Sequence, residues 1–98
     1  MAAASLEIEI PRLLGSRESA RELVSSILPP DVTGFTIILD FADAESVAQG
    51  CCDEIIKELL LRKATEVFVA NNNLTNVVRY LSTAVTLRDE ERSMMLIA

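Results

Sequence analysis

The sequence predicts a single α/β domain: a small mostly parallel or mixed sheet with amphipathic helices packed against it. Three observations predict it. Short apolar runs of strand type alternate with segments whose apolar residues recur at helical spacing, in the order strand, helix, strand, helix, strand, helix, then a tail. Half of the residues are hydrophobic, the content of a chain with a core. At 98 residues the chain makes one domain, 1–98, and is too short for a second lobe that would close over a substrate.

The first strand is Leu6-Glu7-Ile8-Glu9-Ile10, where strict alternation marks one buried face and suits an edge position. Pro11 to Gly15 turns the chain, and Ser16 is placed to cap a helix carrying Ala20, Leu23, Val24, Ile27 and Leu28 on one stripe. Pro29-Pro30 stops that helix. Phe35 to Phe41 is almost continuously apolar, which is how a strand reads when both faces of a parallel sheet are covered.

The second helix is expected to start near Ser46, because Ser46-Val47-Ala48-Gln49 fits a capping box. Its stripe is Val47, Ala48, Cys51, Cys52, Ile55, Ile56, Leu59 and Leu60. Asp53, Glu54, Lys57, Glu58 and Arg62 fall on the opposite, solvent side, with Asp53–Lys57 and Glu58–Arg62 as i,i+4 ion pairs. Thr65 to Ala70 is a third strand, expected to pair in parallel with Phe35–Phe41 through the helical crossover. Asn71-Asn72-Asn73 turns and can cap a last helix built on Leu74, Val77, Val78, Leu81 and Val85. The tail is charged through Arg92 and apolar from Met94 to Ile97. A docked turn, a late strand and a frayed end all fit it.

Charge and residue inventory narrow the function. A net charge of -6 and a pI near 4.5 argue against nucleic acid, whose phosphates need a cationic face. No apolar run reaches the roughly 20 residues of a membrane span, and Met1-Ala2-Ala3-Ala4 lacks the pattern of a leader, so a cytoplasmic location is expected. Histidine is absent, which removes the commonest general base and zinc ligand, and neither metal nor cofactor is expected. Cys51 and Cys52 point about 100° apart on a helix, a poor arrangement for chelation or redox pairing. They are expected to be reduced, buried and dispensable for activity.

Loops at the carboxyl ends of parallel strands are where such folds place their sites. Here they hold Asp40, Asp43, Glu45 and Ser46, and then Asn71 to Asn73. Three carboxylates close together can take a divalent ion or a phosphoryl group, but Asp and Ser are also ordinary turn and cap residues. Gly15, Gly34 and Gly50 are isolated and form no phosphate cradle, and no base accompanies Ser46 or Cys51. No catalytic residue is expected.

The stretch Ile37-Ile38-Leu39-Asp40-Phe41-Ala42-Asp43-Ala44-Glu45-Ser46-Val47-Ala48-Gln49-Gly50-Cys51-Cys52-Asp53-Glu54-Ile55 resembles the core of the STAS superfamily, the fold of anti-sigma-factor antagonists. In that family a strand ending in an Asp-containing turn runs into a helix that opens with Asp-Ser-Ser-Gly. Glu66 to Asn71 and Val77 to Leu81 are similar to its next strand and helix. Gly15-Ser16-Arg17 and Leu39-Asp40-Phe41 resemble an uncharacterised STAS-like branch. Ala48-Gln49-Gly50-Cys51 stands against Asp-Ser-Ser-Gly, so the family's phosphate-accepting serine falls on Gln49, which has no hydroxyl.

The resemblance implies a non-catalytic regulatory interaction module that docks on a protein partner, such as a histidine-kinase-type ATPase or another regulator, through Asp43, Glu45, Ser46, Gln49 and Gly50. A small-ligand or nucleotide-binding module and a self-associating structural subunit are the alternatives, and a homodimer is left open. Gly50 costs a helix about 1 kcal/mol relative to alanine. Close approach of a partner backbone and tight packing on the sheet each account for it.

Overall fold

A computed structural model of the chain describes residues 4–98; the opening Met1-Ala2-Ala3, read above for its lack of a leader pattern, lies outside them. In chain order the elements are β1 (Ser5–Glu9), β2 (Leu13–Leu14), α1 (Arg17–Ile27), β3 (Thr36–Asp40), β4 (Ser46–Val47), α2 (Gln49–Leu61), β5 (Glu66–Ala70), α3 (Val77–Arg88) and β6 (Met95–Ile97). The main sheet has the order β1-β3-β5-β6, with every neighbouring pair parallel. The expected pairing of the two central strands is present, with Ile38 opposite Phe68, and β1 lies at an edge as its alternation suggested. The apolar end of the tail is the fourth strand, β6, with Leu96 opposite Val67.

Strand order follows chain order, so right-handed crossovers lay all three helices on the same face of the sheet. α2 sits in the middle, between α1 and α3. Ile8, Ile37, Leu39 and Val67 point to this side and are fully buried in one core with Val24, Ile55, Ile56, Leu59 and Leu81. The alternating residues of the same strands turn to the other face, which no element of the described chain covers. β3 therefore departs from expectation: its apolar run reads as covered on both faces, but Ile38 is only half-buried on the open side.

The helices begin and end for identifiable reasons. Ser16 caps α1 as expected, its Oγ accepting the Ser19 amide at 3.1 Å. Ala20, Val24 and Leu28 bury the stripe, Ile27 stays exposed, and the helix stops before Pro29-Pro30. α2 starts later than its capping box suggests. The amides of Glu45 and Ser46 both donate to the Arg12 carbonyl (2.8 and 3.1 Å) and that of Ala48 to Leu14 (3.0 Å). Ser46-Val47 is thereby drawn into the short strand β4, and Ala48 becomes an N-cap that has no side-chain bond to offer.

Its polar side also differs. Because α2 is walled in by two helices, Glu54 and Glu58 are buried rather than solvated. Glu54 is held by Arg21 Nε at 3.4 Å and Lys57 Nζ at 3.6 Å. Glu58 takes the expected partner, Arg62, at 2.9 Å. The Asp53–Lys57 pair does not form, since Asp53 turns to arginines on the neighbouring helices.

At α3 the asparagines shape the approach rather than cap the helix. Asn72 Oδ1 accepts the Leu74 amide at 2.9 Å, which keeps Leu74 in the turn, and the N-cap position falls on Asn76 without a side-chain bond. Beyond α3, buried Asp89 accepts the amides of Ser93 (3.0 Å) and Met94 (2.7 Å) and so aims the chain into β6. Among the described residues, no helix is long and apolar enough to cross a membrane.

Candidate docking site at the opening of α2

Two-residue strands organise this end of the molecule. β2 and β4 pair in parallel, Leu13 with Ser46 and Leu14 with Val47, which ties the turn before α1 to the segment before α2. The Cys51 thiol lies 3.3 Å from the Leu14 carbonyl and 3.2 Å from that of Ser16, adding a link from inside α2. The openings of α1 and α2 are thus held side by side. Strands this short carry no periodicity, so nothing in the sequence pattern signals them.

The residues singled out from the sequence fall around this point. Gln49 is exposed as the first residue of α2, and Gly50 beside it is half-buried. Both line an open cleft of about 550 Å³ that runs to α3. Glu45 and Ser46 line a shallower adjoining depression, and Tyr80 of α3 is common to the two. Asp43 is exposed in the turn after β3 and lines neither. Ser46 is a strand residue and not the expected helix cap, and Glu45 pairs with Arg12 Nη1 at 3.2 Å on the surface.

The cleft also holds residues that sequence spacing did not bring together. Arg17 from α1 and Arg88 from α3 meet on Asp53 of α2. Arg88 is bidentate, with Nε and Nη2 each at 2.7 Å from a carboxylate oxygen, and Arg17 Nη1 shares Oδ2. Hydrogen bonds from Arg88, and then from Arg17, hold the Asp53 carboxyl far below the usual range despite its partial burial. Gly50 has its reason here: a Cβ on it would lie 3.3 Å from Arg17 Nε, so the glycine makes room for the arginine that crosses it rather than for the sheet. Three helices supply these groups, and only tertiary packing selects them.

Other strand-end residues are structural. Asp40 Oδ1 accepts the Ala42 amide at 2.9 Å and Asn71 Nδ2 at 3.0 Å, and those bonds, that from Asn71 first, lower its pKa. Asn71 adopts φ 56°, a conformation asparagine tolerates in turns. Both cysteines are free and buried, and burial raises their pKa values, that of Cys52 to about 12. Comparison of the chain with protein-family models, with curated proteins and with solved structures finds no match.

Proposed function

We propose that this chain is a non-catalytic regulatory interaction module that docks on a partner protein through the opening of α2. The observation that carries the reading is Gln49. It stands where the STAS resemblance puts a phosphate-accepting serine, and it is exposed on the rim of the cleft of about 550 Å³. Around it are the features of a contact surface. The N-cap Ala48 makes no side-chain bond to the first turn, Tyr80 and exposed Leu87 offer apolar contact, and the Arg17–Asp53–Arg88 cluster holds the walls in place. With no hydroxyl at Gln49, docking is constitutive with respect to modification at that position. The resemblance suggests a histidine-kinase-type ATPase or another regulator as partner.

The test pairs binding with folding. A partner retrieved from the native host with the tagged parent is titrated against Gln49→Glu and, as an equally charged control on the outer side of α3, Ser82→Glu. A carboxylate at a helix opening is neutral or mildly stabilising for the fold. The expected result is an unchanged unfolding midpoint for both variants and at least about tenfold weaker binding for Gln49→Glu alone, a difference of about 1.4 kcal/mol. Parent-like binding by Gln49→Glu together with loss in Ser82→Glu moves the interface elsewhere. A rise in midpoint with nucleotides or divalent ions would favour a small-ligand module instead.

A further inference from the structure

We propose that the open face of the main sheet is a second docking surface, which receives a basic amphipathic helix of a partner protein. The face is built by the residues that alternate with the core. Across the strands they form rows in register: Ser5, Thr36, Glu66 and Met95; then Glu7, Ile38, Phe68 and Ile97; then Glu9, Asp40 and Ala70. Ile38, Phe68 and Ile97 are half-buried but take no part in the core on the helical side, and Met95 is 62% exposed.

The apolar strip thus runs over β3, β5 and β6. Glu7 and Glu9 border it along β1, Asp40 stands at one end and Glu66 at the other. None of the six strands contains a lysine or arginine.

Two observations choose the occupant. First, β3 has the composition of a strand covered on both faces, and the chain covers only one. The missing layer is of the kind already present on the other side, a helix laid on a parallel sheet. Five-residue strands at about 3.3 Å per residue match about eleven residues of helix at 1.5 Å each, and a helix about 10 Å wide spans the three apolar strands.

Second, the charged residues that these strands place around the strip, Glu7, Glu9, Asp40 and Glu66, are all acidic. The Glu7 carboxyl is close enough to Asp40 that a hydrogen bond to it, followed by desolvation and like charge, raises the Glu7 pKa. A partner with lysine or arginine beside its apolar stripe relieves that repulsion. A second copy docked through the same face cannot, because its strands bring the same carboxylates and no lysine or arginine, and each copy has a net charge of -6.

The experiment uses two synthetic amphipathic helices of about 18 residues, long enough to fold on contact. One carries a leucine stripe flanked by lysines, the other the same stripe flanked by glutamates. Amide chemical shifts of the full chain locate the contact and give the affinity. The leucine/lysine helix is expected to bind in the micromolar range with shifts on β3, β5 and β6, and the leucine/glutamate helix at least about tenfold more weakly. Phe68→Ser should weaken binding about tenfold, and Ile97→Ser provides the same reading if Phe68→Ser does not fold. Glu7→Lys/Glu9→Lys should invert the peptide preference, while Gln49→Glu leaves it unchanged, which separates this surface from the α2 site.

The proposal fails on any of four results. These are equal binding of both peptides, shifts confined to the helical side, self-association of the parent that Phe68→Ser abolishes, or uptake of the parent by phosphatidylcholine vesicles through this face.

Discussion

Arg88 grips Asp53 with two forward hydrogen bonds of 2.7 Å each, so the last turn of α3 is fastened to the first half of α2 by a pair 35 residues apart in the chain. This pair makes stability depend on pH with a definite sign. A carboxyl whose pKa is depressed by folding contributes fully above its unfolded value near 3.9, and the contribution is lost as pH falls toward the folded value. Asp53→Asn should therefore lower the unfolding midpoint most at neutral pH. The gap to the parent should shrink steadily below about pH 5, as measured by thermal unfolding across a pH series. A constant gap would mean that Asp53 acts through packing alone.

Glu7 should show the opposite sign. Its pKa is raised by the hydrogen bond to Asp40, so folding favours the protonated form. That contribution is present below the unfolded value near 4.3 and lost as pH rises through the folded one. Glu7→Gln is expected to be neutral or stabilising at pH 7 and to lose that advantage in acid. Destabilisation at pH 7 would contradict the raised value.

Gly50→Ala should stabilise the domain by up to about 1 kcal/mol, the helix-propensity difference. The contact it creates is with Arg17, an exposed flexible side chain that can shift by a few tenths of an ångström. The check is a denaturant series on Gly50→Ala, Arg17→Ala and the double variant. If Gly50→Ala is destabilising in the parent and stabilising only with Arg17→Ala, the arginine is rigidly seated.

The two thiols should be inert in the folded protein. Burial raises both pKa values, that of Cys52 to about 12, so neither is a thiolate at pH 8. Iodoacetamide is expected to leave the native chain unmodified and to label both cysteines once it is denatured, read by intact mass. The Cys51→Ala/Cys52→Ala variant should fold and retain partner binding, at about 1 kcal/mol for each lost sulfur, the scale of an Ile→Val deletion.

Asp89→Ala should loosen β6. Removing the carboxylate strands the amides of Ser93 and Met94, which costs about 1–3 kcal/mol. Hydrogen exchange should rise most at Met95 to Ile97. Because Ile97 belongs to the open face, binding of the leucine/lysine helix should weaken as well. Unchanged protection of β6 would place its anchoring in Leu96 and the Met95–Thr65 backbone bond instead.

Much of the fold was legible in local pattern. Alternation in Leu6 to Ile10 and the stripe from Ala20 to Leu28 each express a period that belongs to one element, and each forms as expected; the apolar run of β3 forms its strand but is covered on one face and not on two. The candidate site was legible only in part. Gln49 and Gly50 reach the cleft, but Arg17, Asp53, Tyr80 and Arg88 come to it from three helices, and Asp43 does not line it.

By itself, then, the sequence determined the α/β class, the parallel sense of the central strands and the cap of α1, because hydrophobic period, crossover length and a serine hydroxyl act over a few residues. Only the tertiary structure decided the rest. The start of α2 shifted because the amides of Glu45, Ser46 and Ala48 found carbonyls on the distant β2 segment. Glu54 and Glu58 became buried because α2 gained a helix on each side. The uncovered face arose because the strands line up in chain order, so every right-handed crossover falls on the same side. An apolar residue such as Ile38 or Phe68 has the same local signature whether or not another layer lies above it. Strand order alone left this one open.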